Sequence, residues 1–331
     1  MKLRGSRWVA VAALLAMVCA AEVVAQAPWP SRPLRFIVPS SAGGPTDLIT
    51  RIIGERVQKD LQQAAVIENR PGGGGKIGLR MAAQAPPDGY TYVIGNPGPV
   101  AIVQHTETEV GYNTLADFDP VAMLMRVPIE LVVRKDLAVA SVAELVAYIR
   151  RNPRAVSFGT SGEGQSPHMA AELLRKMIGA PFLIVPYRGA APAVNDLLGG
   201  TVQAMFDTTT GLPFVQEGRL RALAVGSRTR SALMPHLPTM AEAGFPGFEI
   251  SSWYVLLAPA GTPVAIIERL NAVMKAALES REVQERLARV NAEAIYTTPA
   301  GAREYVAGEI ANWGGIVKTI RAAEAAVGSA R

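Results

Sequence analysis

Two segments place hydroxyl-bearing and glycine residues where a strand gives way to a helix. The first reads VPSSAGGPTD, residues 38–47. Ser40, Ser41, Ala42, Gly43 and Gly44 let the backbone come close to a ligand, and Thr46 and Asp47 open the helix that follows. The first N–H groups of a helix lack intrahelical partners and carry partial positive charge. The turn therefore reads as a site for a carboxylate or phosphate, and equally as an ordinary capped strand-to-helix turn. The second segment reads FGTSGEGQSPHM, residues 158–169. Ser166 suits an N-cap and Pro167 the first helical position. Thr160 and Ser161 add hydroxyls, Gly162 and Gly164 open the backbone, and His168 reads as a cap or a core hydrogen-bonder. Asn96 and Gly98, in IGNPGP, hold the same kind of position. Tyr187 and Arg188 end one apolar run, and Asp207 and Thr208 end another. Asp207 reads as a cleft carboxylate or a helix cap.

Three other chemistries fit poorly. ENRPGGGGKIG, residues 68–78, suggests a phosphate-cradling loop, whose pattern is G-x-x-x-x-G-K-[ST]. Gly75 and Lys76 match, but Ile77 offers no hydroxyl and Arg70 stands where the leading glycine belongs. A serine nucleophile would require G-x-S-x-G, and Glu163 occupies the last glycine position after Ser161. His105, His168 and His236 are far apart, no cysteine cluster exists, and no carboxylate pair stands out. No metal and no cofactor are expected.

These turns need elements to hold them. LRFIVP (34–39), AAVIENRPG and YTYVIGN (90–96) read as strands from their β-branched and aromatic content. Residues 46–61 read as a helix, with Leu48, Ile49, Ile52, Ile53, Val57 and Leu61 at three- and four-residue spacing. The alternation repeats through VPIELVVRK, SVAELVAYIRRN, AVSFGT, FLIVPYRG, VQAMFDTTT and LRALAVGS. It ends with the strand SSWYVLLAPA and amphipathic helices at 263–279, 281–290 and 300–321. Such alternation predicts an α/β fold with mostly parallel sheets, whose ligands sit beyond the carboxyl ends of strands.

The N-terminus predicts export. Lys2, Arg4 and Arg7 precede the apolar run Trp8–Ala20, and Ala25-Gln26-Ala27 forms a small-x-small cleavage site. The only cysteine, Cys19, falls inside this leader, so the processed chain rests on its hydrophobic core. Three of the 33 basic and one of the 28 acidic residues lie in the first 27, so the net charge falls from +5 to +3. No Lys/Arg block favours nucleic acid.

The ordered motifs WPSRPLRFIVP, GGPTD, VIENRPGGGGKIG, PPDGYTY, DFDPVAML, HMAAELL, VPYRG, DLLGG, MFD, GRLRALAV, LPTMAEAGFPGFEISSW and LLAPAGTP span nearly the whole chain. Through them the sequence resembles the Bug-type periplasmic solute-binding proteins of tripartite tricarboxylate transporters. The resemblance implies a two-domain, type II periplasmic-binding-protein fold with a ligand cleft between the domains and a two-strand hinge. On that reading, 1–27 is the signal peptide, 28–127 plus 250–331 form one domain, and 128–249 form the other. It implies a monomeric periplasmic receptor, without catalysis, for a small organic carboxylate (a di- or tricarboxylate, an aromatic acid or an acidic amino acid) that serves membrane permease subunits.

The family's binding loops fall on Ser40–Asp47 and Thr160–His168, and its cleft aspartate on Asp207. The chain departs from the family at Ser40, often aromatic there, at Gln165, commonly Ser or Thr, and at Thr208, often Asn. The glycines of PGGGGKIG then read as the shaping residues of a tight turn. A ligand-sensing input protein for a membrane receptor and an exported serine hydrolase using Ser161 or Ser166 are the competing readings.

Overall fold

Apolar, β-branched runs build the first layer. The computed structural model describes residues 29–152 and 155–328, so the expected leader and its cleavage site lie outside the described residues. From Arg32 onward the chain forms one unit. Leu34–Val38 (β1) runs between Ala65–Asn69 (β2) and Thr91–Gly95 (β3), parallel to both. Pro45–Leu61 (α1) follows β1 and turns Ile49, Ile52, Ile53, Val57 and Leu61 into the core, as its spacing predicts. Lys76–Ala83 (α2) follows β2. Phe118–Pro128 (β4) then leads out of this layer.

The second layer opens at Glu130–Arg134 (β5) and adds Val142–Arg151 (α3), Ser157–Thr160 (β6), Ser166–Ile178 (α4), Leu183–Pro186 (β7), Ala190–Gly199 (α5), Ala204–Asp207 (β8) and Leu220–Val225 (β9). Stacked rings run through its core: Phe158 lies 4.3 Å from Phe182 and 6.1 Å from Phe206, which lies 5.5 Å from Phe248. Ser251–Pro259 (β10) returns the chain to the first layer. Val264–Leu278 (α6), Arg281–Ala288 (α7), Glu293–Ala294 (β11) and Pro299–Gly328 (α8) complete it.

The strand orders are β11-β4-β10-β3-β1-β2 and β7-β6-β8-β5-β9. Both sheets are mixed, not mostly parallel: β10 pairs antiparallel with β3 and β4, and β5 with β8 and β9. Of the reversed strands, β5 and β10 stand next to the passages between lobes, and the short β11 lies at the edge of the first sheet, antiparallel to β4. β4 escapes a sequence reading because Asp119 and Pro120 interrupt the apolar run. The register with β10 shifts beside Pro120, leaving Val121 without a partner in the ladder, a bulge that accommodates proline within a strand.

Two passages join the layers, one between Pro128 and Glu130 and one between Val225 and Ser251. They touch at Gly226, whose N–H donates to Ile129 O at 2.6 Å and whose carbonyl accepts from Ile250 N at 2.8 Å. A Cβ on Gly226 would stand 2.9 Å from Ile250 O, so only glycine lets these segments pass so closely. No helix among the described residues is long and apolar enough to cross a membrane.

Candidate functional site

The carboxyl ends of the parallel strands in both sheets face a common cavity of about 240 Å³. The first lobe lines it with Ser40, Ser41 and Gly44 after β1, Gly72–Gly75 after β2, Asn96 after β3, and Ser252 and Tyr254 on β10. The second lobe contributes Ser161, Gly162, Glu163 and Gln165 after β6, Tyr187–Ala190 after β7, and Thr208 after β8.

Helices α1, α2, α4 and α5 all start at this wall. Their N-cap residues are Gly44, Gly75, Gln165 and Gly189, and none makes a side-chain capping hydrogen bond. Helix N-termini without side-chain caps are ready donors for an anion. The side chains add further capacity. Ser40 Oγ, Ser41 Oγ and Asn96 Oδ1 are buried and have no hydrogen-bond partner. Buried polar groups are ordinarily paired, so three unspent ones around one cavity mark a place where a polar ligand completes them.

The lining charges cancel. Lys76 Nζ is held by Glu107, 2.5 Å from its Oε1, while Glu163 and Arg188 supply one charge of each sign. Arg188 forms no ion pair among the described residues.

The lobes meet around the cavity. Gln165 Nε2 donates to Gly74 O at 2.5 Å. A Cβ on Gly74 would stand 2.5 Å from Glu163 O, and one on Gly98 would stand 2.7 Å from the Gln165 amide. A Cβ on Gly189 would collide with Ser41 Oγ. Glycine at these three positions lets the two walls come into contact.

Of the residues singled out from sequence, Ser40, Ser41, Gly44, Thr46, Asn96, Ser161, Gly162, Gln165, Pro167, Tyr187, Arg188 and Thr208 line the cavity. Ala42, Gly43, Asp47, Gly98, Thr160, Gly164, Ser166, His168 and Asp207 do not. Ala42 and Gly43 are solvent-exposed, and a Cβ on Gly43 would meet nothing within 4 Å. Its glycine is required by a φ of +82°, not by a close approach. Asp47 faces away from the cavity: its carboxylate accepts from Gly43 N at 3.1 Å, from Arg51 Nε at 2.9 Å and from Asn69 Nδ2 at 3.1 Å. Burial alone would raise this carboxyl, but those donors outweigh it and hold it below the ordinary aspartate range.

His168 is turned inward as well. Its Nδ1 accepts from Gly164 N at 2.9 Å, and burial lowers its proton affinity, so the neutral ring pins the turn that Gly164 makes at a φ of +69°. That Nδ1 is occupied, and Ser161 has no base in it. Thr160 and Ser166 keep buried hydroxyls without partners, but both sit behind the wall. Ser166 is the first helical residue, and Gln165 takes the N-cap position expected of it. Gly98 packs against Gln165 instead of lining the cavity. Tyr187 shows its ring to the cavity while its hydroxyl donates to Asp196 Oδ2 at 2.6 Å. Burial and then that carboxylate push the phenol up to about 12. Asp207 lies under Thr208 and accepts from Gly211 N at 2.6 Å.

Other wall residues were not assigned to the ligand site from sequence. The Gly72–Gly75 turn does shape a tight connection, with φ positive at all four glycines, and it also lines the cavity. Four glycines at the carboxyl end of a sheet strand are a signal that could have found it. Ser252 and Tyr254 carry no such signal. They come from β10, far along the chain, and only the fold brings them in.

A family model described as "Tripartite tricarboxylate transporter family receptor" matches residues 49–322. Protein BugT of Bordetella pertussis is 38% identical over 292 residues, covering 88% of this chain and 90% of its own. Among solved structures, Rpa4515 of R. palustris with adipate superposes with a TM-score of 0.86 at 39% identity, over 88% of this chain and 98% of that one. MatC (Rpa3494) from Rhodopseudomonas palustris with bound malate gives a TM-score of 0.83 at 31% identity, over 87% and 100%. Matched along most of its length by the family model and by these relatives, the chain belongs to the tripartite tricarboxylate transporter receptor family, the Bug or TctC type of periplasmic solute-binding protein.

Proposed function

We propose that this protein captures a small organic carboxylate in the cavity between its lobes and delivers it to the permease of a tripartite transporter from the periplasm. The observation that carries the reading is the convergence of unspent polar groups. Two serine hydroxyls and the Asn96 Oδ1, buried without partners, stand among four helix N-termini that no side chain caps. Hydrogen bonds to a charged acceptor contribute about 1.5–3 kcal/mol each, so such a set can hold a carboxylate without a dedicated ion pair. The Asn96 amide can turn its nitrogen inward to serve as a donor. The relatives recorded with adipate and with malate support a carboxylic acid as ligand.

On this reading residues 28–127 with 250–331 form one domain and 128–249 the other. They rotate about the passages that touch at Gly226 and admit the ligand when open, a hinge motion. A thermal-shift screen of the exported chain against malate, adipate, citrate, benzoate and glutamate tests the proposal. At least one acid should raise the melting temperature in a saturable way. A chain that none of them stabilises, and that turns over esters instead, would contradict it.

A further inference from the structure

Glu130 and Asp207 are directly opposite each other on the antiparallel strands β5 and β8. Opposed residues put their side chains on the same face, with Cβ atoms about 5 Å apart. Both are sealed from solvent, at 0% and 1% exposure. Glu130 Oε1 accepts from Asn291 Nδ2 at 2.6 Å, and Asp207 Oδ2 accepts from Gly211 N. The remaining oxygens, Glu130 Oε2 and Asp207 Oδ1, have no partner.

The surroundings offer no cation. The groups that reach the pair are neutral: the Asn291 amide, itself held by Ser231 Oγ, the N–H groups of Gly211, Thr208 and Thr210, which favour the Asp207 anion, and Tyr254 with Ser252 on β10 beside Asp207. Val225, opposite Glu130 on β9, is apolar. No lysine, arginine or histidine forms a hydrogen bond or ion pair with either carboxyl among the described residues. Two adjacent anions in such a place cannot both persist, because each lacks water and repels the other. A proton on one of the two carboxyls removes that repulsion and turns one unpartnered oxygen into a donor.

We infer that Glu130 and Asp207 form a coupled carboxyl pair beneath the floor of the cleft that keeps one proton at neutral pH, and that a captured anionic ligand holds this proton to higher pH, with net uptake where the free pair has begun to lose it. The coupling rests on the carboxylate reading of the cavity. Thr208, the residue after Asp207, lines that cavity together with Tyr254, so a bound anion adds a third negative charge beside the pair. Proton affinity at the pair therefore rises on binding, and by linkage ligand affinity falls as the proton is lost. Burial, and then the charge of Asp207, moves Glu130 up to about 8, while burial moves Asp207 up to about 6. The proton is then lost from about pH 8 upward, which sets the range of the effect. The pair also joins the lobes: Glu130 stands just past the first passage, and Asn291, with a φ of +55°, reaches it from the segment before β11.

The test combines two measurements on the exported chain. Infrared spectra of the unliganded protein at pH 7 should show a protonated carboxyl band that disappears in Glu130→Gln. Calorimetry at pH 8 with the tightest acid from the screen, run in phosphate and in Tris, should show heats that differ by the buffers' ionisation enthalpies, reporting net proton uptake. Affinity should fall above about pH 8, at most about tenfold per pH unit, and Glu130→Gln should flatten that dependence while binding at about pH 9 as tightly as the parent does at about pH 7. Absence of the band overturns the proton held by the pair. Buffer-independent heats, or uptake unchanged in Glu130→Gln, overturn the coupling. If no acid binds, the capture reading fails and the coupling with it, while the infrared band still decides the proton site.

Discussion

Gln165 donates its side-chain Nε2 to the carbonyl oxygen of Gly74 at 2.5 Å and so ties the second lobe to the first at the rim of the cavity. Gln165 occupies the N-cap position of α4 without using its side chain to cap the helix. That leaves the amide free to bridge the cleft.

Removing the bridge should open the protein without unfolding it. Gln165→Ala is expected to weaken ligand binding about twofold to tenfold, the net worth of one hydrogen bond, and to enlarge the radius of gyration of the unliganded chain. Calorimetry and small-angle scattering read the two effects separately.

Gly74 and Gly43 make a matched pair. Both have positive φ, +64° and +82°, but a Cβ would meet a neighbour only at Gly74, where Glu163 O would lie 2.5 Å away. Gly74→Ala should hold the walls apart and reduce affinity at least tenfold, whereas Gly43→Ala should show only the backbone cost of about 1 kcal/mol in stability. Denaturation and calorimetry on both variants check it.

Asp47 ties the first turn to α1 through Gly43, Arg51 and Asn69. Asp47→Ala leaves those donors without their acceptor and should cost about 1–3 kcal/mol of stability. Because the folded-state carboxyl lies below its ordinary value, its contribution is present above that value and is lost as pH falls through the lowered one. Urea denaturation at pH 6 and below pH 4 should show the variant's deficit shrinking in acid.

Arg188 is the lining cation with no acidic partner among the described residues, and it is exposed. Arg188→Gln should weaken a dicarboxylate a few-fold while leaving a monocarboxylate unchanged, and the difference should shrink at high salt. Titrations of both ligand types in low and high salt decide it.

Much of this architecture can be read from sequence because it is local. The stripe Ile49, Ile52, Ile53, Val57 and Leu61 announces α1, and the turns at 40–44 and 161–165 reveal themselves by small residues between a strand and a helix. Side-chain direction within a turn is not local. Asp47 and His168 have ligand-like chemistry, yet each bonds a backbone N–H of its own turn. Ser252, Tyr254 and Glu130 acquire their places only when the passages between lobes bring distant strands together, and β4 is hidden by the bulge beside Pro120.

If neutral donors from both lobes select the ligand, its negative charge must matter more than its carbon skeleton. Calorimetry of the protein with the best acid from the screen, and with the uncharged amide of the same skeleton, separates the two. Loss of one hydrogen-bonded charge costs about 1.5–3 kcal/mol, so the acid should bind at least tenfold more tightly than the amide. Equal affinity for acid and amide would mean that the cavity does not recognise a carboxylate in this way.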